Sequence, residues 1–351
     1  MAPPSRAPPG AALAAASAVL RAATALRRAL HGAGLLPTAV LPAPVVSVGN
    51  LSAGGAGKTP LVEHLVRELR ALGARPVVVS RGYGARVPGT ALNDEGCVLA
   101  ENLPGLPQRQ SPDRASAGRA ALAAGEGDCL VLDDAFQHFR LARDLDLVAL
   151  DAASPFSGGL RREGAGALRR AGAAVLTRAG RAGPEATAAA RRAIEAIAPG
   201  IPVATADHEP ASLVPLGGGA PGDPGSLRGR RVWACAGIAD PSSFETTLAS
   251  LGANLAGASR FPDHGLDSLA RLGPAFAAAR AAGADLVVVT QKDAVKLAAA
   301  GGVTGDLSPG APPLPVAALR IRIRFLDGAE RIRDALRAAL ERGRARARGT
   351  A

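Results

Sequence analysis

The sequence predicts an α/β fold, a mostly parallel sheet flanked by helices with a smaller C-terminal α/β domain, and three observations predict it. Apolar, β-rich runs alternate with helix-like stretches, the pattern of strand–helix–strand units. One strand–helix junction is unusually rich in glycine, "SAGGAGKTP" at 52–60. A tract at 215–230, "PLGGGAPGDPGSLRGR", can bury almost nothing and reads as a linker. The 351 residues suffice for one large or two ordinary domains. They divide here into an N-terminal segment 1–40, a first α/β domain 41–214, the linker 215–230 and a second α/β domain 231–351.

Taken in order, the N-terminal arm has no acidic residue before Glu63. Within "AALAAASAVLRAATALRRALHG", Val19, Ala23, Leu26 and Leu30 share one helical face, with Arg21 and Arg28 opposite. That pattern suits a helix lying on an anionic membrane surface and an ordinary packed helix about equally. A signal peptide fits less well, because arginines interrupt the apolar run. No apolar stretch reaches the length of a membrane span. Strands are expected at 45–48, 77–80, 129–132, 147–150 and 174–177, and helices at 60–72, 114–124 and 185–196. After the linker come the strand "RVWACAGI", a helix near 241–251, the strands "DLVVVT" and "PVAALRIRI", a basic amphipathic helix and a frayed tail "RGRARARGT".

The net charge of +11 calls for an anionic partner without choosing one. Cys97, Cys129 and Cys235 are too widely spaced for a disulfide framework or a metal knuckle. Of 41 basic residues only Lys58, Lys292 and Lys296 are lysines. In a chain that otherwise uses arginine, a lysine points to a compact point charge.

The glycine-rich junction is the first functional signal. Strand, turn and helix in succession give the context of a phosphate-binding loop, hence a P-loop NTPase-like domain. Gly54, Gly55 and Gly57 let several N–H groups converge on one anion, and the helix beginning near Pro60 adds its positive end. Ser52, Ala53, Gly54, Gly55, Ala56, Gly57, Lys58 and Thr59 form the nucleotide-binding run. Lys58 reaches the phosphates and the Thr59 hydroxyl can ligate Mg²⁺. Ser52 stands where the usual motif has glycine, at a flank of the turn. The second signal is "CLVLDDAFQH" at 129–138, an apolar strand ending in Asp133 and Asp134, which reads as the metal-side carboxylate element. A base for a hydroxyl acceptor is offered by the Gly-flanked loop "NDEG", with Asp94 and Glu95, or by "FPDHG", with Asp263 and His264.

With these residues assembled, the chain resembles the tetraacyldisaccharide 4'-kinase (lipid A 4'-kinase) family. The resemblance runs from "PVVSVGNLSAGGAGKTPLV" to "VVVTQKDAVKL" through "SRGYG", "NDE", "SPDRASAG", "LDDAFQHFRLARDLDLV", "LRREG", "AGIADPSSF" and "FPDHG", in the family's order. It implies transfer of the ATP γ-phosphate, with Mg²⁺, to the 4'-hydroxyl of an acylated glucosamine disaccharide 1-phosphate, giving lipid IVA at the cytoplasmic face of the Gram-negative inner membrane. It also implies peripheral membrane association, no nucleic-acid partner and no obligate protein partner. By the same resemblance Lys58 and Thr59 hold phosphates and metal, and Glu95, Asp133 and Asp134 form the metal-side carboxylates. Asp94, assisted by His264, activates the sugar hydroxyl, with the C-terminal domain completing the cleft. Tyr83, Arg114, Gln137, His138, Arg162 and Glu163 map onto polar family positions. The chain departs from the family pattern at Ala135, Phe139, Gly164, Gly265 and Gln291, which bears on acceptor positioning. The competing reading is a P-loop regulatory ATPase. Such proteins often carry a lysine before the paired glycines, where this chain has Ala53.

Overall fold

The computed structural model describes residues 11–52, 57–82, 86–157, 160–263, 265–266, 269–299 and 314–349. Its helices are α1 (Ala11–Gly32), α2 (Lys58–Ala71), α3 (Asp94–Asn102), α4 (Arg114–Ala123), α5 (Ala179–Ala182), α6 (Pro184–Ile197), α7 (Pro241–Ser250), α8 (Leu269–Ala281), α9 (Gln291–Ala299) and α10 (Ala329–Gly349). The strands are β1 (Val45–Gly49), β2 (Pro76–Ser80), β3 (Gln108–Gln110), β4 (Cys129–Asp133), β5 (Leu145–Asp151), β6 (Ala173–Thr177), β7 (Val203–Pro215), β8 (Arg231–Ala236), β9 (Asn254–Arg260), β10 (Leu286–Thr290) and β11 (Val316–Asp327). The expected α/β class with a mostly parallel sheet is what forms. Every strand and helix expected between residues 45 and 197 lies within a few residues of its expected bounds.

The chain folds into two compact units whose boundaries differ from the linear division at 41–214 and 231–351. The first comprises Met1–Arg81, Gly105–His208 and Ile323–Ala351; the second comprises Gly82–Pro104 and Glu209–Arg322. Two amphipathic faces explain the difference. α10 buries Ile332, Leu336, Ala339 and Leu340 and packs on β1 and β5, so the C-terminus belongs to the first unit. α3 packs on α9, which draws 82–104 into the second.

In the first unit the strand order is β3-β2-β4-β1-β5-β6-β7. β1 lies between β4 and β5, parallel to both, with Val48 beside Asp133. All five β1 residues are buried, as a continuous apolar run predicts for a parallel strand covered on both faces. The end of β1 is fixed by close approach: a Cβ on Gly49 would lie 2.5 Å from Phe136 Cβ, so only glycine fits. Its start is fixed by Asp144 Oδ2, which accepts from the Val45 N–H at 2.8 Å. Arg346 of α10 holds that carboxylate at 2.6 and 2.8 Å and also donates to the Ala43 carbonyl. The expected frayed tail is therefore a helix that braces β1, because its arginines find carboxylate and carbonyl partners.

The second unit orders its strands β11-β10-β8-β9, with β10 parallel to β11 and β8. The tract expected to be a bare linker is built into this unit. Leu213 and Gly222 form an antiparallel bridge, and a short 3-10 turn, Pro224–Leu227, follows. Leu227 is fully buried with Val232, Phe244 and Leu248. Buried Pro224 and Leu227, with Leu216 packed against a neighbouring cluster, are enough to anchor the segment. The "NDEG" loop is likewise helical: Asn93 caps α3 by accepting from the Gly96 N–H at 3.0 Å, placing Asp94 and Glu95 in the first turn. Among the described residues no helix is long and apolar enough to cross a membrane.

Candidate active site

The phosphate side is built at the carboxyl ends of β1 and β4, the place where open parallel sheets bind ligands. Gly57, with φ 71°, turns the chain into α2, so Lys58 and Thr59 sit at the helix's positive end. Lys58 Nζ is 3.5 Å from Asp134 Oδ1. Asp134 holds a left-handed φ of 52°, uncommon for a residue with a side chain, and three groups keep it there. These are Lys58, Arg162 Nη1 at 2.8 and 2.9 Å from its two oxygens, and Arg114 Nη2 on its carbonyl at 3.1 Å. Burial works against ionising Asp134, but Lys58 and Arg162 outweigh it and hold the carboxyl below its usual range.

Asp133 is in the opposite state. It is buried, its Oδ1 has no hydrogen-bond partner among the described residues, and burial with the Asp134 charge pushes its pKa up to about 6. A carboxylate oxygen of this kind is what a hard cation would satisfy. Two adjacent acids and the Thr59 hydroxyl suit Mg²⁺, which keeps waters and phosphates as its other ligands. Among the described residues no group of three or more His, Cys, Asp or Glu is placed to hold a metal ion, so a site needing a full protein cage is not formed there.

A layer of polar residues supports this pair. Arg114, buried at the start of α4, lies 3.1 Å from His138 Nδ1. Burial first, then Arg114, pushes His138 down to about 4, so the ring is neutral. Gln137 Nε2 donates to the Asn50 carbonyl at 2.9 Å and to Glu163 at 3.0 Å. Glu163 is paired with Arg170, whose guanidinium lies 3.7 Å from the centre of the Phe136 ring. Of the expected substrate residues, Arg114, His138 and Glu163 are thus buried supports. Arg162 is partly exposed and reaches Asp134.

The second unit holds Asp94 and Glu95. Asp94 is buried, 3.7 Å from Lys292 Nζ and 3.9 Å from Lys296 Nζ. Glu95 accepts from Lys292 at 2.7 Å and from Asn93 Nδ2 at 2.7 Å. Burial and a hydrogen bond with Asp94 raise Glu95 to about 7, against the pull of Lys292. Lys296 also pairs with fully buried Asp293 at 3.2 Å, and Asp293 Oδ2 accepts from the Gly237 N–H. Gln291, at a position where the family pattern differs, bonds Glu101 and Asn102.

The structure thus brings together Lys58, Thr59, Asp133, Asp134, Arg114, Gln137, His138, Arg162 and Glu163 in the first unit, where Ser52 pairs with Arg161 in an isolated bridge. Asp94 and Glu95 come together in the second. Glu95, grouped with Asp133 and Asp134 on the sequence, is here the partner of Lys292. Ala53, Gly54, Gly55, Ala56, Tyr83 and His264 lie outside the described residues. Lys292, Lys296 and Arg170 went unassigned by sequence reasoning. Rarity flagged the two lysines, whereas Arg170 is one arginine among many and carries no such signal.

Comparison with known proteins bears on what this arrangement does. Residues 10–341 match the family model described as tetraacyldisaccharide-1-P 4'-kinase. A protein from Anaeromyxobacter sp. (strain K) named tetraacyldisaccharide 4'-kinase is 42% identical, covering 94% of this chain and 91% of its own length. One of the same name from Pelobacter propionicus is 40% identical over 78% of this chain and 79% of its own. Among solved structures, an "apo" form of LpxK from Aquifex aeolicus in complex with ATP superposes with a TM-score of 0.68 at 26% identity, covering 94% of this chain and 98% of that one.

Proposed function

The chain belongs to the tetraacyldisaccharide-1-P 4'-kinase family, and from that premise we propose that it transfers the γ-phosphate of ATP to the 4'-hydroxyl of an acylated glucosamine disaccharide 1-phosphate. The observation that carries this reading is the pairing of Lys58, at the positive end of α2, with Asp134, which follows Asp133 at the end of the neighbouring strand β4. In the reaction the bond from the β,γ-bridging oxygen to the γ-phosphorus breaks, the O4'–phosphorus bond forms, and the hydroxyl proton is taken up by a base. Lys58 offsets the charge on the transferring group, and the first amides of α2 orient the phosphates. Asp133, Asp134 and Thr59 would hold Mg²⁺, which when bound neutralises phosphate charge. Binding phosphate at Lys58 competes with its contact to Asp134, and Arg162 keeps that carboxylate paired meanwhile.

We assign the base role to Asp94, with His264 as its assistant. Its clamp by Lys292 and Lys296 supports the assignment, because a buried carboxylate held by two ammonium groups has a fixed direction.

The acceptor's acyl chains place the reaction at a bilayer, and α1 supports peripheral attachment there. It packs through Ser17 and Thr24, both buried, while Val19 and Leu26 are 71% and 62% exposed. A packed helix would bury the apolar face; this one turns it outward. Between α1 and residues 163–170 lies a cavity of about 510 Å³ lined by Arg21, Arg28, Glu163, Arg169 and Arg170, suited in charge to a lipid phosphate. The test is incubation with ATP, Mg²⁺ and the disaccharide 1-phosphate followed by mass analysis. A phosphate added at O4' is expected, and ATP hydrolysis indifferent to the glycolipid would overturn the reading in favour of a regulatory ATPase.

A further inference from the structure

One histidine outside every motif sits against the phosphate loop. His208 lies in β7, the strand that pairs with β6 through Val203–Ala174, Ala204–Val175 and Thr205–Leu176. Its ring faces Gly57, the residue just before Lys58, so closely that a Cβ on Gly57 would run into His208 Nε2 and Cε1. Nε2 is itself buried, without a well-formed hydrogen bond among the described residues. Glycine is therefore required at position 57 twice over, by the left-handed backbone and by the ring that fills the place of a side chain.

The consequence follows from the softness of glycine. With no Cβ, glycine takes either sign of φ at little cost, so left alone this would be a loose joint at the start of α2. Gly57 caps α2 without any side-chain hydrogen bond, so local capping does not fix it. A planar ring pressed against its α-carbon does. If Gly57 turns, the amides of Lys58 and Thr59 and the stem of Lys58 turn with it, because they are the first residues of the helix. The charged groups that act on His208 are Arg178 and Asp151, at the ends of β6 and β5, and these bond each other at 2.9 Å. Burial first, then Arg178, pushes the imidazole down to about 4, so at neutral pH it adds no charge beside Lys58. Its contribution is shape, with a weak polar contact to the Gly57 backbone that falls short of a well-formed hydrogen bond.

We infer that His208 is a positioning residue for phosphoryl transfer: its ring holds Gly57 in the left-handed turn that aims Lys58 and the first amides of α2 at the nucleotide phosphates. The inference rests on the loop's being the ATP site, and the experiment separates the two. Calorimetric ATP binding without acceptor, KM for ATP, KM for the disaccharide acceptor, kcat and Tm are measured for the wild type, His208→Ala, His208→Gln, Gly57→Ala and the Gly57→Ala/His208→Ala double variant. His208→Ala is expected to weaken ATP binding and raise its KM by roughly ten- to a hundred-fold, with the acceptor KM within about twofold of wild type. His208→Gln, whose amide can occupy the place of Nε2, is expected to recover most of that loss. Gly57→Ala is expected to be the more damaging single change, and the double variant no worse than it, because the ring can no longer be displaced.

A folded His208→Ala protein with wild-type ATP affinity, or losses that simply add in the double variant, overturns the inference. Should His208→Ala not fold, an unchanged ATP KM in both His208→Gln and a folded His208→Leu variant overturns it instead. A wild type that binds no ATP overturns the nucleotide site and this inference together. A wild type that binds ATP while the His208 variants match it overturns this inference alone.

Discussion

In the first unit Lys58 and Arg162 converge on Asp134 while its neighbour Asp133 keeps a buried oxygen without a hydrogen bond among the described residues. In the second unit Lys292 and Lys296 face three acids, Asp94, Glu95 and Asp293, and each acid has an ammonium group within 4 Å. Three carboxyls to two lysines leaves one charge over, and the strain falls on Glu95, which burial and Asp94 raise to about 7 against the pull of Lys292. Both clusters bury charge next to lysine, and the chain places all three of its lysines in them. The first is left incomplete, with a carboxylate and a helix end for a ligand to satisfy. In the second, every acid has an ammonium partner within the protein, although Asp293 Oδ1 and Lys296 Nζ also lack a well-formed hydrogen bond among the described residues. The helix end beside the first cluster marks where phosphate and metal enter; the paired ammonium groups of the second mark a carboxylate held in one orientation.

The sharpest way to break this contrast is to remove the cation from each side. Lys58→Ala should lower kcat/KM by about a thousandfold or more, since charge stabilisation on a transferring phosphoryl group is worth several kcal/mol. The protein should stay folded, because Lys58 has only a 3.5 Å contact to a partly exposed carboxylate to lose. Steady-state kinetics with circular dichroism check both halves, and near-normal turnover in a folded variant would remove the loop from the chemistry. Asp94→Ala should come next, lowering kcat by about a hundred- to ten-thousandfold with ATP binding little changed. Removing it also leaves Lys292 and Lys296 with fewer counter-charges, so a loss of stability is expected alongside. A variant that loses ATP affinity in proportion to turnover would contradict the base role.

The first unit was legible because its signals are local. A valine-rich run, Val45–Gly49, a glycine turn and a helix with Leu61, Leu65 and Leu69 on its buried face specify β1, the loop and α2 without reference to the rest of the chain. What stayed hidden depends on contacts distant in sequence. The 329–349 helix joins the first unit through an apolar face whose partners are distant, with Arg346 on Asp144 and Gly343 against Pro44, some two hundred to three hundred residues earlier. The Gly/Pro tract became structure through a few apolar side chains, chiefly Leu227, whose partners lie outside it. The clamp on Asp94 could be suspected from lysine rarity, yet its partner was readable only once α3 was seen to pack on α9. His208 had no sequence signal beyond the scarcity of histidine, five in the chain, because its meaning comes from a glycine 151 positions away.

The contrast also predicts opposite costs of ionisation. Asp133 titrates near 6 when folded against 3.8 in a free chain, so between those values folding takes up a proton and stability falls as pH rises. Asp133→Asn should remove that loss, stabilising the apo protein at pH 7.5 by on the order of 1–3 kcal/mol while abolishing metal-dependent turnover. The gain should vanish near pH 3.5, where both states are protonated. Glu95 has the same sign over a window from 4.5 to about 7. Glu95→Gln, however, forfeits the 2.7 Å ion pair with Lys292, so its gain at pH 7.5 should be the smaller. Denaturant melts at the two pH values measure both. Equal gains would erase the distinction between a carboxyl that has a lysine partner and one that lacks a hydrogen bond.

The smallest effect on folding is expected where the first unit leaves apolar surface uncovered, beside the same site. Val19 and Leu26 project from α1 while Ser17 and Thr24 on its other side are buried, and Ser17 Oγ accepts from the Arg161 N–H at 3.2 Å. The Val19→Ser/Leu26→Ser variant therefore removes exposed apolar groups and leaves the packed side intact. Its stability should change by less than about 0.5 kcal/mol, as for surface substitutions generally. At a bilayer the same two side chains would enter the acyl boundary, so losing them should weaken vesicle binding by roughly tenfold or more. Arg21 and Arg28 remain, so residual binding should still favour anionic over neutral vesicles and still weaken with salt. Activity should fall on bilayer-embedded acceptor and hold on detergent-dispersed acceptor, because no group of the phosphate site has been touched. Sedimentation with vesicles at low and high salt, alongside the two kinetic assays, reads each effect separately. Unchanged vesicle binding would mean that α1's outward face meets something other than lipid, and the arginine-lined cavity would then have to be explained without a membrane.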